Sequence, residues 1–243
     1  MIRAVTFDFW DTLVGEHLGQ MRGMQIDRWL EVLRTDDIAI PRPDLVVAFE
    51  ENWREFERRW SANAGQHTAS DATDFICARL GISPDGQGEG GIRNSLIDSF
   101  RLVGETAPLT PAPDLAPALR DLKRSGVRLG IVCDVGLTSS PTLRLRLERF
   151  GLLGFFDAWG FSDETGWFKP AREAFAPALE GLGVEPEDTA HVGDSPRTDV
   201  AGALALGMTA IRYQGFVDRP PHDGPEANFV ARSHSQIPGL LGL

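Results

Sequence analysis

Acidic residues at the ends of apolar runs are the part of this chain most able to do chemistry. Asp8 follows the first run, in "AVTFDFWDTLV" (4–14), with Asp11 just beyond it. Cys133 and Asp134 end "VRLGIVCD" (127–134), Ser162 and Asp163 lie at the end of "DAWGFS" (157–162), and Asp194 ends "TAHVGD" (189–194). If these runs are parallel strands of one sheet, Asp8, Asp134, Asp163 and Asp194 meet at one edge, where ligands of such sheets collect. Packed carboxylates repel unless a cation lies among them, and an all-oxygen donor set favours magnesium. Lys169, in "GWFKP", leaves the third run and is one of two lysines set against twenty-two arginines. A compact ammonium suits the gap between a nucleophilic carboxylate and a bound phosphate, where a planar fork does not fit.

The elements that must position these groups follow from periodicity. From Arg120 onward strand and helix patterns alternate: strands at 127–134, 157–162, 189–194 and 208–213, helices at 142–153, 171–183 and 198–207, and an edge strand at 228–232. That order predicts an α/β fold with a parallel sheet and helices on both faces. Residues 15–105 read as helices throughout. Ile26, Trp29, Leu30 and Leu33 form one apolar stripe, and Leu45, Phe49, Trp53, Phe56 and Trp60 form another, followed by helical patterns at 71–81 and 92–104 on either side of a glycine-rich loop at 86–91. Trp29, Trp53 and Trp60 are expected in the helical core, and Arg54, Arg58 and Arg59 on a solvated face among Glu55 and Glu57. A helix at 113–126 returns the chain to the sheet.

Composition narrows the partners. With 35 acidic and 24 basic side chains the net charge is −11, which opposes nucleic acid and anionic membrane surfaces. Cys77 and Cys133 match no metal-ligand or disulfide spacing, and no run reaches the length of a membrane span, so a soluble protein of the reducing cytoplasm is expected.

"DFWDTL" at Asp8, "IVCD" at Cys133, "KP" at Lys169 and "GDSPRTD" from Gly193 to Asp199 resemble, in order and spacing, the four motifs of the haloacid dehalogenase-like hydrolase superfamily. The resemblance implies a Rossmann-like three-layer core (1–14 and 106–243) with an all-helical cap domain (15–105). It implies that Asp8 is the nucleophile, forming a covalent aspartyl intermediate that water releases. Magnesium would lie among Asp8, Asp194 and the backbone carbonyl of Trp10, with Asp199 supporting that shell or orienting Lys169. Cys133, with Asp134 beside it, stands on the substrate side, where the family usually has a serine or threonine for a phosphate oxygen; a thiol is the weaker donor.

Trp10 departs from the pattern, because the family's phosphatases usually have there a second aspartate that protonates the leaving group. Three readings stay open. The first is a magnesium-dependent phosphatase acting on a small phosphate ester or anhydride with a good leaving group, or borrowing an acid from Asp11, Glu16 or His17. Asp11, at i+3 from Asp8, would point to the opposite face of a regular strand, so it requires a turn. His191, inside its strand, is expected to have a structural role. The second reading is carbon–halogen hydrolysis, since the family's dehalogenases carry an aromatic residue here, although they typically lose the metal aspartate that Asp194 represents; Arg22 is a weak candidate for halide binding. The third is a protein that binds phosphate without cleaving it, with Trp10 filling the pocket. A Schiff-base lysine in the cap is ruled out because residues 15–105 contain none.

Overall fold

The computed structural model describes residues 1–16, 19–62, 65–83, 91–220, 222 and 224–243. His17, most of the glycine-rich loop at 86–91 and two positions of the loop at 218–225 lie outside the described residues. The strands are β1 (Ala4–Phe7), β2 (Val14–Glu16), β3 (Leu109–Pro111), β4 (Arg128–Cys133), β5 (Ala158–Phe161), β6 (Thr189–Gly193), β7 (Thr209–Tyr213) and β8 (Phe229–Ala231). The helices are α1 (Gln20–Thr35), α2 (Arg42–Ala62), α3 (Ala69–Leu80), α4 (Arg93–Thr106), α5 (Leu115–Arg124), α6 (Ser140–Arg149), α7 (Ser162–Thr165), α8 (Arg172–Leu182), α9 (Ala201–Ala205) and α10 (Ile237–Leu240). By contacts the chain divides into two compact units, one of residues 1–16, 109–134 and 144–243, the other of 17–108 and 135–143. No described helix is long and apolar enough to cross a membrane.

The first unit is built on a six-stranded sheet in the order β5-β4-β1-β6-β7-β8, with every neighbouring pair parallel. All four residues of β1 are buried, as expected for a central strand covered on both faces. Side chains alternate across it. Ala4 packs with Phe175, Ala178, Leu182 and Ala203 of α8 and α9 on one face, while Phe7 meets Phe156 and His234 on the other. The order reverses at β1, which lies between β4 and β6, so the carboxyl ends of these three strands form the crevice that such a reversal opens. A two-stranded antiparallel ribbon of β2 and β3, which periodicity did not reveal, joins the two chain segments that flank the helical stretch.

The expected helix at 198–207 begins differently. Asp199 and Val200 both donate their N–H groups to the Ser195 carbonyl, at 3.0 and 3.1 Å, so the chain makes one wide turn over Pro196–Val200 before α9. Wide turns of this kind are often found at functional sites, and this one carries Asp199. The helix expected at 142–153 is α6 and stops at Arg149, because Gly151 at φ +69° turns the chain and Leu152 N–H caps the Leu147 carbonyl.

The second unit is helical. Trp29 is fully buried and meets Phe49 and Phe100 edge-on at 5.2 and 6.1 Å, with Leu33, Leu45, Ile76 and Leu96 around them. Trp53 corrects the expectation of a wholly buried stripe: it is exposed, with the Arg22 guanidinium over its ring and its indole N–H donating to Glu57. Arg58 and Arg59 pair with Glu55 on the solvated face.

Candidate active site

Asp8 follows the last residue of β1, and its backbone N–H donates to the Val192 carbonyl of β6 at 2.9 Å. The chain then folds back at once: the N–H groups of Leu13 and Val14 both donate to the Phe9 carbonyl, and Asp11 adopts φ +53°. This is the turn that Asp11 requires to leave the far face of the strand. Its carboxylate accepts from the Arg219 guanidinium at 2.7 Å, and the same guanidinium pairs through Nε with Asp194. Trp10, half-buried, lies edge-on against Phe9 with ring centroids 5.0 Å apart.

Lys169 is buried, and its three ammonium donors are all directed: to Asp8 Oδ1 at 2.6 Å, to Asp199 Oδ1 at 2.5 Å and to the Val132 carbonyl at 3.1 Å. Its backbone N–H donates to Asp134 Oδ1 at 3.0 Å, so Asp134 holds the loop that carries Lys169. Asp199 has both oxygens engaged, Oδ1 by Lys169 and His191 and Oδ2 by the Ser195 N–H at 3.0 Å. Of the two roles the motif allowed Asp199, this geometry suits the orienting of Lys169. Gly193 makes room for it, since a Cβ there would stand 2.2 Å from the Asp199 Cγ.

His191 joins the network from β6. Its Nε2 lies 3.2 Å from Asp199 Oδ1 and its Nδ1 2.8 Å from the hydroxyl of Thr6, two residues before Asp8. An ionised Asp199 only accepts, so Nε2 carries the proton and Nδ1 accepts from Thr6. The chain Thr6, His191, Asp199, Lys169, Asp8 therefore runs from the sheet interior to the carboxylate after β1. Sequence reasoning placed His191 in a structural role but did not connect it to Lys169. It also missed Arg219, which stands in a loop that reads as a connection.

Cys133 ends β4, buried, with the backbone of Phe9 hydrogen-bonded to its thiol; burial, with Asp8 adding to it, pushes the thiol pKa well up. Asp163, expected at the same edge, is exposed on α7, and Asp199 takes its place in the acidic cluster.

Among the described residues, Asp8, Asp194 and Asp199 present carboxylate oxygens that all lie within 4.8 Å of one another. Burial raises the Asp8 carboxyl well above the usual range, against the pull of Lys169, and Asp199 and Asp194 push it further. Burial, and next to it Asp199, lifts Asp194 to about 7, with Arg219 opposing. Burial works against the charged form of Lys169, but Asp199, Asp8 and Asp134 more than offset it and hold the ammonium well above its ordinary pKa. A buried, oxygen-only cluster with this excess of negative charge is a donor set that fits a hard divalent cation. Asp199 has both oxygens engaged, whereas Lys169 takes only Oδ1 of Asp8 and Arg219 only Oδ2 of Asp194, so these two side chains could hold one.

A family model for haloacid dehalogenase-like hydrolases matches residues 2–207. The chain is 37% identical to a glyceraldehyde 3-phosphate phosphatase of Methanocaldococcus jannaschii, over 99% of this chain and 97% of that one. Among solved structures, a HAD phosphatase from Thermococcus onnurineus matches with a TM-score of 0.69 at 26% identity, covering 99% of this chain and 98% of that one. A 2-haloacid dehalogenase from Pseudomonas syringae pv. Tomato DC3000 matches with a TM-score of 0.74 at 24% identity, covering 100% and 99%; at that identity the match shows the fold.

Proposed function

The chain belongs to the haloacid dehalogenase-like hydrolases, and from that premise we propose that it is a magnesium-dependent phosphatase of small organic phosphates, with Asp8 as nucleophile. One observation carries this reading: the Asp8 carboxylate is held by a buried lysine at 2.6 Å within reach of Asp194 and Asp199, so nucleophile, counter-charge and cation ligands share one site. The full-length similarity to a glyceraldehyde 3-phosphate phosphatase supports phosphate as the group transferred.

Asp8, Asp194 and the Trp10 backbone carbonyl would hold the ion, which when bound would supply charge neutralisation for the transferring phosphoryl group. Asp8 Oδ2, the oxygen not bonded to Lys169, attacks phosphorus; the P–O bond to the leaving group breaks and an aspartyl phosphate forms. Water then attacks that phosphorus, releasing inorganic phosphate and restoring Asp8. Lys169, fixed by Asp199 and Val132, balances charge throughout. Cys133, with Asp134 beside it, stands on the substrate side. Trp10 cannot give a proton to the departing oxygen, so substrates that leave unaided are favoured. The helical stretch, inserted between β2 and β3 in sequence, serves as a substrate-selecting cap. Cys77 and Cys133 are both buried and neither is in a disulfide, in keeping with a reducing cytoplasm.

The test is hydrolysis of acetyl phosphate, p-nitrophenyl phosphate and glyceraldehyde 3-phosphate, with EDTA and Asp8→Asn as controls. Turnover abolished by both controls is expected. Inertness toward all three, with metal-independent halide release from 2-haloacids, would overturn the reading.

A further inference from the structure

Arg219 stands in the loop between β7 and β8, and that loop is fastened at several points. The Arg212 side chain, 6% exposed, donates to the Arg219 carbonyl at 2.9 Å, to Asp218 at 3.1 Å and to Glu226 at 3.1 Å. Gly224 sits so close to the Pro196 backbone that a Cβ would lie 2.5 Å from it, which seats the loop on the segment just after Asp194. From this base the Arg219 guanidinium extends two neighbouring donors to two carboxylates, Nη2 to Asp11 and Nε to Asp194 Oδ2. A planar fork bridging two acids is a placed contact rather than a stray surface pair.

Resting on the metal site of the proposed function, we infer that Arg219 is a built-in competitor for Asp194: the guanidinium and the divalent cation share one carboxylate, and the fastened loop thereby sets the metal affinity. Asp194 has two oxygens, and a cation that draws on both must displace Nε. A cation that takes only one still sees a carboxylate whose charge is partly balanced. Either way the arginine weakens binding, and by reciprocity whatever loosens the loop tightens it. Asp11 takes the other donor of the fork and so anchors Arg219 when Asp194 is given up. This assigns Asp11 a task other than acid catalysis.

The experiment measures Mn²⁺ binding to the full chain by electron paramagnetic resonance, with Mg²⁺ competition, at physiological salt where long-range charge effects are screened. Arg219→Gln should bind Mn²⁺ about tenfold more tightly than the wild type, the scale of one charge-assisted contact in a half-buried setting. Arg212→Gln keeps the Arg219 charge but frees its loop, and should tighten binding roughly two- to fivefold. Unchanged or weaker affinity in Arg219→Gln overturns the inference while leaving the metal site standing. Tightening in Arg219→Gln with none in Arg212→Gln overturns the part assigned to the loop. If the wild type and both variants bind no Mn²⁺, the metal reading fails and the inference falls with it; Asp194→Asn, expected to abolish binding, identifies the site.

Discussion

At the scale of single residues, Trp10 and His191 bear on the proposed nucleophile, Asp8, in different ways. An indole where a proton donor usually stands leaves the departing oxygen unassisted, and general acid catalysis is worth about 10²- to 10⁴-fold. Trp10→Asp should therefore raise kcat on glyceraldehyde 3-phosphate, a poor leaving group, by about 10²-fold while changing acetyl phosphate turnover little. Steady-state rates across a series of aryl and alkyl phosphates check this, and a wild-type rate that ignores leaving-group pKa would show that a donor acts from elsewhere. His191 works through others, as a positioning residue: it fixes Asp199, which fixes Lys169. His191→Gln, whose amide N–H can replace Nε2–H, is expected to keep most activity, whereas His191→Leu should lower kcat about tenfold or more with KM little changed, as for one lost hydrogen bond to a charged group. Equal losses in the two variants would reduce His191 to a packing role.

At the scale of elements, the wide turn at Pro196–Val200 and the short helix at the C-terminus each bury a group that sequence periodicity cannot reveal. Gly193→Ala drives a methyl into Asp199. It should cost 10²-fold or more in kcat through misplacement of Lys169, while the circular dichroism of the folded chain stays the same. His234, on the turn before α10, is fully buried between Phe7 of β1 and Tyr213 of β7, with Asp114 at 3.8 Å and neither ring nitrogen hydrogen-bonded. Burial lowers its pKa to about 4, against the opposing pull of Asp114. The unfolded chain, with histidine near 6.5, binds the proton first, so stability is full above that value and is lost as pH falls from about 6.5 toward 4, by on the order of 3 kcal/mol. His234→Phe should flatten the fall of Tm between pH 7 and 5, and an unaltered slope would sink this account. These cases mark what was legible in the sequence. Apolar runs ending in Asp8, Cys133 and Asp194 announced the sheet and its functional edge, because strand burial is written in composition. The β2–β3 ribbon, only three residues a side, is too short to show a period, and the Asp11 turn rests on a left-handed backbone that an aspartate does not advertise. Arg219 meets Asp194 across twenty-five positions of chain through a loop, and no local pattern encodes such a contact.

At the scale of the whole molecule, a chain of net charge −11 is proposed to accept a dianion. Two charge distributions therefore act on the substrate. Nearby, Lys169 is surrounded by the carboxylates it neutralises, and Arg219 spends its charge on Asp11 and Asp194, so little unpaired positive field is left to steer an anion inward. At long range the net negative charge repels, and salt screens that repulsion over about 10 Å at 0.1 M. Second-order capture of a phosphate dianion should thus be faster in salt: kcat/KM is expected to rise roughly two- to threefold from low ionic strength to 0.15 M at saturating magnesium. A neutral viscogen control separates encounter from chemistry. The local term makes the opposite forecast, because a site whose cation and lysine dominated the field would attract the dianion and lose rate as salt increased. The sign of the salt dependence therefore reports which distribution governs approach, and Arg219→Gln sharpens the comparison. If Arg219 is absorbed by its two carboxylates, its removal leaves the salt slope unchanged; if it guides substrate, the slope turns more positive as the attraction disappears.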